Sequence, residues 1–148
     1  MTKQTDSLKD LIPTLSLEET RKMLAKGDSG TVRMVARYSP HGEILWDLFR
    51  ESKGDYEVAW FATANPAFPR ESYSEVLESE EWMARYGLAT NPAITLEAIS
   101  SLAKDAQWII RRAVVLNPQT PEQVIRVLLE DKNTDVAKCA KRVFVHRR

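Results

Sequence analysis

The sequence predicts an all-α fold, a solenoid of about five short two-helix repeats with a period of 26 residues. Three observations predict it. Prolines recur at a constant spacing, and apolar residues recur in the same frame. Strand signals are absent, since the sequence has neither sustained alternation nor an Asn-Gly or Asp-Gly hairpin.

Four prolines mark the frame of the repeat, and three of them follow an asparagine. They lie in Ser39-Pro40, Asn65-Pro66, Asn91-Pro92 and Asn117-Pro118, with 26 residues between successive pairs. Proline disfavours helical geometry in the residue before it, and asparagine tolerates the conformations found at helix ends. Each pair therefore predicts a helix that ends at the same point of its repeat.

The second helix of each predicted repeat carries an apolar stripe at positions i, i+3 and i+4. The stripe is made of three columns: Val32, Val58, Ala84, Ile110 and Val136; Val35, Phe61, Gly87, Ala113 and Cys139; and Ala36, Ala62, Leu88, Val114 and Ala140. A helix pair of this length cannot bury its apolar face alone. Stacked neighbours are expected to cover it.

The first helix of each repeat has a start signal. Ser16-Leu17-Glu18-Glu19 and Thr120-Pro121-Glu122-Gln123 both fit a capping box, and Thr95 begins a weaker version. In that interpretation Pro121 occupies the first helical position, where its missing N–H costs nothing.

The length of the chain predicts a single domain over residues 1–148. Residues 1–30 are expected to form an N-terminal capping unit, residues 31–133 the repeats, and residues 134–148 a C-terminal capping helix. The last segment is assigned to the cap because it has no Asn-Pro stop.

The segment Arg111–Ile125 resembles the leucine-rich repeat variant family, within the wider HEAT-like class of helical solenoids. The shared pattern is an arginine-bearing, valine- and alanine-rich helix, then Asn117-Pro118, then Thr120-Pro121 and a second apolar helix. Weaker copies occur at Asn65-Pro66 and Asn91-Pro92, so the resemblance covers roughly residue 31 to the C-terminus.

The resemblance implies a right-handed superhelix of short helices with some 3₁₀ character. It also implies binding of another macromolecule, the usual role of solenoids in this class. Some family members carry an N-terminal cysteine cluster for iron and sulfur. This chain has one cysteine, Cys139, so that function does not carry over.

Opposite the apolar stripe, the second helices carry aromatic and cationic side chains in (i, i+4) pairs. These pairs, here named the aromatic ridge, are Tyr56/Trp60, Trp82/Tyr86 and Trp108/Arg112. Apolar patches on a surface usually mark binding sites, and Tyr, Trp and Arg dominate interface energetics. The alternative is packing between repeats. It suits Trp82 and Trp108 as well as exposure does, whereas exposure is favoured for Trp60 and Tyr86.

A column of arginines, Arg33, Arg85 and Arg111, recurs in the same frame. It fits a groove for an acidic partner. The favoured alternative is a series of ion pairs with acids of the inter-helix turns, the usual fate of such charges. Those acids are Asp28, Glu80, Asp105 and Asp131.

The formal net charge is zero, which argues against a protein whose main role is to cover nucleic acid. The charge is nevertheless unevenly distributed along the chain. Acids predominate over residues 43–81, whereas the C-terminal helix is basic. Its cations are Lys138, Lys141, Arg142, Arg147 and Arg148. A basic end suits docking to an acidic protein or a phosphate backbone. The favoured alternative is a solvated cap with cations at a helix C-terminus.

No catalytic or metal-binding motif occurs in the sequence, so we expect no catalytic residues, no metal and no cofactor. Cys139 lies in an apolar column, as expected for a small core residue, and His41 lies in a turn without a visible partner. There is no signal peptide and no apolar run long enough to span a bilayer, which predicts a cytoplasmic protein without membrane association.

The sequence thus predicts a non-catalytic protein–protein interaction module or scaffold. A protein or peptide is expected to bind a concave face made of the aromatic ridge with Arg85 and Arg111. The alternative is nucleic-acid binding, with the aromatics stacking on bases and Arg85, Arg111, Arg112 and Lys138 contacting phosphates. Self-association through the same ridge is a third interpretation.

Overall fold

The computed structural model describes residues 2–147 of the chain, with side chains from Ser7 onward. Helices and turns make up this part of the chain, and no strand occurs within it. The predicted all-α class is confirmed. The end residues of the predicted domain, Met1 and Arg148, lie outside the described residues.

Eleven α-helices follow one another within residues 2–147. They are α1 (Thr2–Leu11), α2 (Leu17–Lys26), α3 (Ser29–Tyr38), α4 (Gly42–Glu51), α5 (Tyr56–Ala64), α6 (Tyr73–Glu78), α7 (Trp82–Thr90), α8 (Leu96–Leu102), α9 (Trp108–Leu116), α10 (Glu122–Leu128) and α11 (Thr134–His146). Two 3₁₀ turns, Ile12–Thr14 and Arg70–Ser72, precede α2 and α6. Helix α1 and the first 3₁₀ turn have no counterpart in the predicted repeat pattern.

Three helices end directly before an Asn-Pro pair, as the sequence predicts. Helices α5, α7 and α9 have Asn65, Asn91 and Asn117 as their C-cap residues, each with extended backbone geometry. This geometry is the one that proline imposes on the residue before it. Helix α11 begins at Thr134 and continues to His146, which is the length expected in the absence of such a stop.

The helices pack in two rows. Helices α3, α5, α7, α9 and α11, the first row, contact one another in that order. Helices α2, α4, α6, α8 and α10, the second row, pack mainly against their sequence neighbours in the first row. The core lies between the rows, where Ala36, Ala62, Leu88, Val114 and Ala140 are fully buried. This column of the apolar stripe is therefore part of the core.

Asparagine side chains connect successive units of the chain. Asn91 Nδ2 donates to the carbonyl oxygens of Thr63 and Asn65, both at 2.9 Å. Its Oδ1 accepts from the N–H of Ala93 at 2.8 Å. A buried amide with both ends bonded ties the loop after α7 to the loop after α5.

The same bonds recur one unit before and one unit after, and we name the three side chains the asparagine ladder. Asn65 Nδ2 donates to Ser39 O at 3.0 Å, and Asn117 Nδ2 donates to Asn91 O at 3.1 Å. Each such donor and acceptor lie 26 residues apart. All three asparagines are buried, and no buried polar side-chain atom within residues 7–147 lacks a partner.

Arg147 occupies the C-terminal end of the ladder. The residue that follows Asn117 by one period is Val143, which has no amide to offer. Arg147 Nη2 donates instead to Asn117 O at 3.0 Å, and its Nη1 donates to Thr120 O. The guanidinium thus supplies the donor that the next asparagine would provide.

The helix start signals are confirmed at two places and wrong at a third. The Ser16 capping box is present, with Ser16 Oγ accepting from Glu19 N–H and Glu19 Oε2 accepting from Ser16 N–H. Thr95 caps α8 through the N–H of Ala98. Thr120, however, is buried, and its hydroxyl donates to the carbonyl of Val114. Pro121, predicted as the first helical residue, is instead the N-cap residue, and α10 begins at Glu122.

Gly87 allows a close approach between α5 and α7 of the first row. A Cβ at this position would overlap Thr63 Oγ1 and lie 2.5 Å from the carbonyl oxygen of Trp60. Thr63 Oγ1 donates across the same contact to Ala84 O at 2.8 Å. Gly87 therefore occupies an apolar column because any side chain there would separate α5 from α7.

Replacing Asn91 with Ala is expected to lower the free energy of unfolding by about 2–4 kcal/mol, because two carbonyls and one N–H lose buried partners. Asn133→Ala is the matched control, since Asn133 only caps α11 and its loss should cost about 1 kcal/mol. Urea denaturation followed by circular dichroism measures both. Equal losses for the two variants would show that the ladder contributes no more than a helix cap.

Candidate interaction surface

Three aromatic side chains of the ridge stand at the same position of successive first-row helices. Tyr56, Trp82 and Trp108 are the first residues of α5, α7 and α9. They are 58%, 38% and 40% exposed, among the most exposed large hydrophobic residues of the described chain. Exposed aromatics in such a series form a patch of the kind that marks binding sites.

Trp60 and Tyr86 lie one helical turn further along and pack on each other. Their ring centroids are 5.6 Å apart in an edge-to-face arrangement, and Tyr86 makes a similar contact with Trp82 at 6.4 Å. Both residues are partly buried. The structure thus gives Trp60 and Tyr86, for which exposure was favoured, a partly packed role, because α5 and α7 approach so closely at Gly87.

Arg112 and Tyr86 border a cleft between α7 and α9. The cleft has a volume of about 110 Å³, and Arg112 and Leu116 at its edge are exposed. Its walls are lined by Tyr86, Thr90, Ile109, Arg112, Ala113, Leu116 and Asn117. The ridge therefore combines exposed rings with a small depression of mixed polar and apolar lining beside a guanidinium group.

The two arginines predicted to join this surface lie elsewhere. Arg111 Nε and Asp131 Oδ2 are 2.7 Å apart, with side chains 5% and 6% exposed. Arg85 forms the corresponding pair with Asp105, also at 2.7 Å. Their exposure as ridge residues is thus contradicted, because each guanidinium reaches the acid of the following inter-helix turn. The favoured alternative of ion pairs is confirmed for Asp105 and Asp131.

The remaining acids named for these pairs have other roles. Arg33 pairs with Asp55 at 3.1 Å and with Glu57 at 2.8 Å, rather than with Asp28. Asp28 caps α3 by accepting from the N–H of Thr31. Glu80 is exposed and forms no ion pair with a described residue. Each arginine of the column thus pairs with an acid of a later inter-helix turn, at Asp55, Asp105 or Asp131. The repeat frame of the sequence does not reveal which turn each arginine reaches.

The Arg111–Asp131 pair changes the titration of both groups. The hydrogen bond from Arg111 is the main cause that holds the pKa of Asp131 below its ordinary value. The same bond raises the pKa of Arg111. Arg111 also donates to the Asp105 carbonyl at 2.7 Å, so all three guanidinium nitrogens donate hydrogen bonds.

The basic residues of α11 remain exposed. Lys138, Lys141 and Arg142 are exposed, and Arg112 on α9 shares this state. No carboxylate of the described residues lies within ion-pair distance of these four groups. Of the other predicted cations, Arg147 binds the end of the ladder and Arg148 lies outside the described residues.

The two groups considered for reactivity are placed in the structural framework. Cys139 is buried in the core, as its column predicts. His41 Nε2 lies 2.8 Å from the carbonyl oxygen of Leu15, a backbone partner that the sequence did not indicate. Among residues 7–147, no cluster of three or more His, Cys, Asp or Glu side chains is arranged to hold a metal ion.

None of the helices described is both long and apolar enough to cross a membrane. Comparison of the chain with protein-family models, with curated proteins and with solved structures gives no match.

Replacing Asp131 with Asn is expected to cost about 3 kcal/mol near neutral pH, since it leaves a buried guanidinium without its counter-ion. An aspartate with a lowered folded pKa stabilises the fold above its unfolded pKa, about 3.9, and this contribution disappears as the pH falls through the folded pKa. The difference between wild type and variant should therefore be largest above about pH 4 and narrow below it.

Urea denaturation across this pH range measures the difference. Asp10→Asn, at an exposed aspartate of α1, is the control and should stay within about 0.5 kcal/mol of wild type. A difference for Asp131→Asn that is constant with pH would contradict the assigned ion pair.

Proposed function

We propose that this chain is a non-catalytic interaction module that binds another protein or peptide on its aromatic ridge. The observation that carries the proposal is the exposed series Tyr56, Trp82 and Trp108 at equivalent positions of three packed helices. Burying such rings against a partner would remove a large apolar area from water. Tryptophan, tyrosine and arginine are also the residues that most often dominate interface energetics.

The proposal includes a right-handed solenoid of two-helix repeats, related to the leucine-rich repeat variant family. Helix starts at Tyr56, Trp82, Trp108 and Thr134 keep the sequence period, and the ladder bonds join residues 26 apart. The more extensive contacts within the first row support its placement on the concave side of the superhelix. In this arrangement the ridge lines the concave surface.

Within this surface the residues have different roles. Tyr56, Trp82, Trp108 and Arg112 would contact the partner, because they are exposed. Trp60 and Tyr86 would hold the surface rigid, since their edge-to-face contact joins α5 to α7. Rigid aromatic anchors lose little conformational entropy on binding, which favours affinity.

The nucleic-acid alternative loses two of its four phosphate contacts. Arg85 and Arg111 are committed to Asp105 and Asp131, so the predicted phosphate-binding set is reduced to Arg112 and Lys138. Phosphate contacts supply most of the affinity in nonspecific nucleic-acid binding. The protein-binding interpretation is therefore the one we propose.

Capture of partners from a lysate of the source organism tests the proposal, with wild type beside Trp82→Ala/Trp108→Ala. These two rings are more suitable to truncate than Trp60 and Tyr86, whose removal would also loosen the α5–α7 contact. We expect a protein partner that persists after nuclease treatment and is lost with the variant, by about tenfold or more.

Leu96→Ala/Val127→Ala is the matched control, since these exposed apolar residues belong to second-row helices and lie 58% and 73% exposed. All variants must first show wild-type melting curves. Retention of every partner by Trp82→Ala/Trp108→Ala would contradict the proposal. Release by nuclease or by modest salt would favour nucleic acid, and a shift of wild type to a dimer that the variant abolishes would favour self-association.

A further inference from the structure

We infer that the segment bound by the ridge is an extended acidic peptide, with an apolar side chain in the α7–α9 cleft and acids over the α9–α11 end. This inference rests on the proposed function. It adds the chemistry of the partner and the direction in which its charge is arranged.

Exposed cations on α9 and α11 make this end of the ridge complementary in charge to an acidic peptide. Arg112 and Lys138 occupy equivalent positions on α9 and α11, two helices that pack against each other. Arg142 follows Lys138 by four residues and so lies on the same face of α11. These exposed cations have no carboxylate within ion-pair distance among the described residues, whereas Arg85 and Arg111 are paired. Their counter-charge is therefore open to a partner.

The opposite end of the ridge, at α5 and the start of α7, carries negative charge. Arg33 pairs with both Asp55 and Glu57 beside Tyr56, which leaves this cluster one net negative charge, and exposed Glu80 precedes Trp82 by two residues. Glu81, between them in sequence, caps α7 by accepting from Met83 N–H at 3.0 Å. A uniform polyanion laid along the ridge would be attracted at α11 and repelled at α5. A peptide can match this change of charge along the ridge, because its acidic residues can be confined to the end that lies over α9 and α11.

The cleft supplies the anchor between the two ends. Tyr86, Ile109 and Leu116 provide apolar walls, Thr90 and Asn117 provide polar ones, and Arg112 lies at its edge. At about 110 Å³ it is too small for a cofactor-sized ligand and suited to a single side chain. A leucine, isoleucine or proline seated there would place the following residues next to Arg112 and Lys138.

The test is selection of a phage-displayed library of random peptides, about 12 residues long, on the immobilised wild-type chain. We expect enriched peptides to combine an apolar residue with a run of acids. Arg112→Glu/Lys138→Glu should weaken their binding by about tenfold or more, because like charges would then face each other. Lys9→Glu/Lys26→Glu, at exposed residues of α1 and α2 outside the first row, changes the net charge equally and should leave the dissociation constant within about twofold.

The outcomes separate this inference from the proposed function. Neutral or basic peptides that bind through Trp82 and Trp108 would overturn the acidic partner and keep the interaction module. Absence of enrichment, or binding unaffected by either the charge or the tryptophan variant, would overturn both. Single-stranded DNA of about 20 nucleotides that binds more tightly than any peptide, with steep salt dependence, would replace the peptide by nucleic acid.

Discussion

The arrangement of the helices depends on the buried hydrogen bonds of Asn65, Asn91 and Asn117. Each Asn-Pro pair ends a helix, because proline removes a backbone donor and excludes helical geometry before it. Asn65, Asn91 and Asn117 at these stops are buried, so the backbone around them needs hydrogen-bond partners from elsewhere in the chain. The amide of the next asparagine provides them, from a residue 26 positions later. A helix stop thereby becomes a connection between units.

Two further contacts set the spacing of the first row. Gly87 lets α5 and α7 approach until Thr63 bonds across the interface, and Arg111 joins the start of α9 to the turn before α11 through Asp131. These contacts and the asparagine ladder fix the helices relative to one another. The first residues of α5, α7 and α9 therefore occupy equivalent positions in the first row. The exposed series Tyr56, Trp82 and Trp108 follows from this registration. The candidate surface is thus a consequence of how the units are joined.

The sequence predicted the parts of the fold that periodicity controls. The apolar stripe, the helix ends at Asn-Pro and the caps at Ser16 and Thr95 depend on spacing and local chemistry, and the structure contains them. Thr120 was predicted wrongly because its hydroxyl is buried against the Val114 carbonyl of α9 and caps no N–H of α10. Likewise, Arg147 completes the ladder without any resemblance to an asparagine, so no repeat pattern reveals it.

The candidate surface was predicted less well than the fold. A helical wheel gives the direction of each side chain from its own helix, but it does not give the distance to adjacent helices, so Arg111 is buried although it was predicted on the surface. That distance decides that Trp60 and Tyr86 pack while Trp82 and Trp108 remain exposed. The pairing of Arg85 and Arg111 with the following turn depends equally on the stacking.

The most direct measurement is a ¹⁹F NMR spectrum of the chain labelled with 5-fluorotryptophan, with and without a captured partner. Trp46 lies in α4 of the second row and packs on Phe49 and Phe68. Its resonance provides the internal reference. Resonances of Trp82 and Trp108 that shift while that of Trp46 stays would agree with binding on the ridge; a shift of Trp46 alone would contradict it.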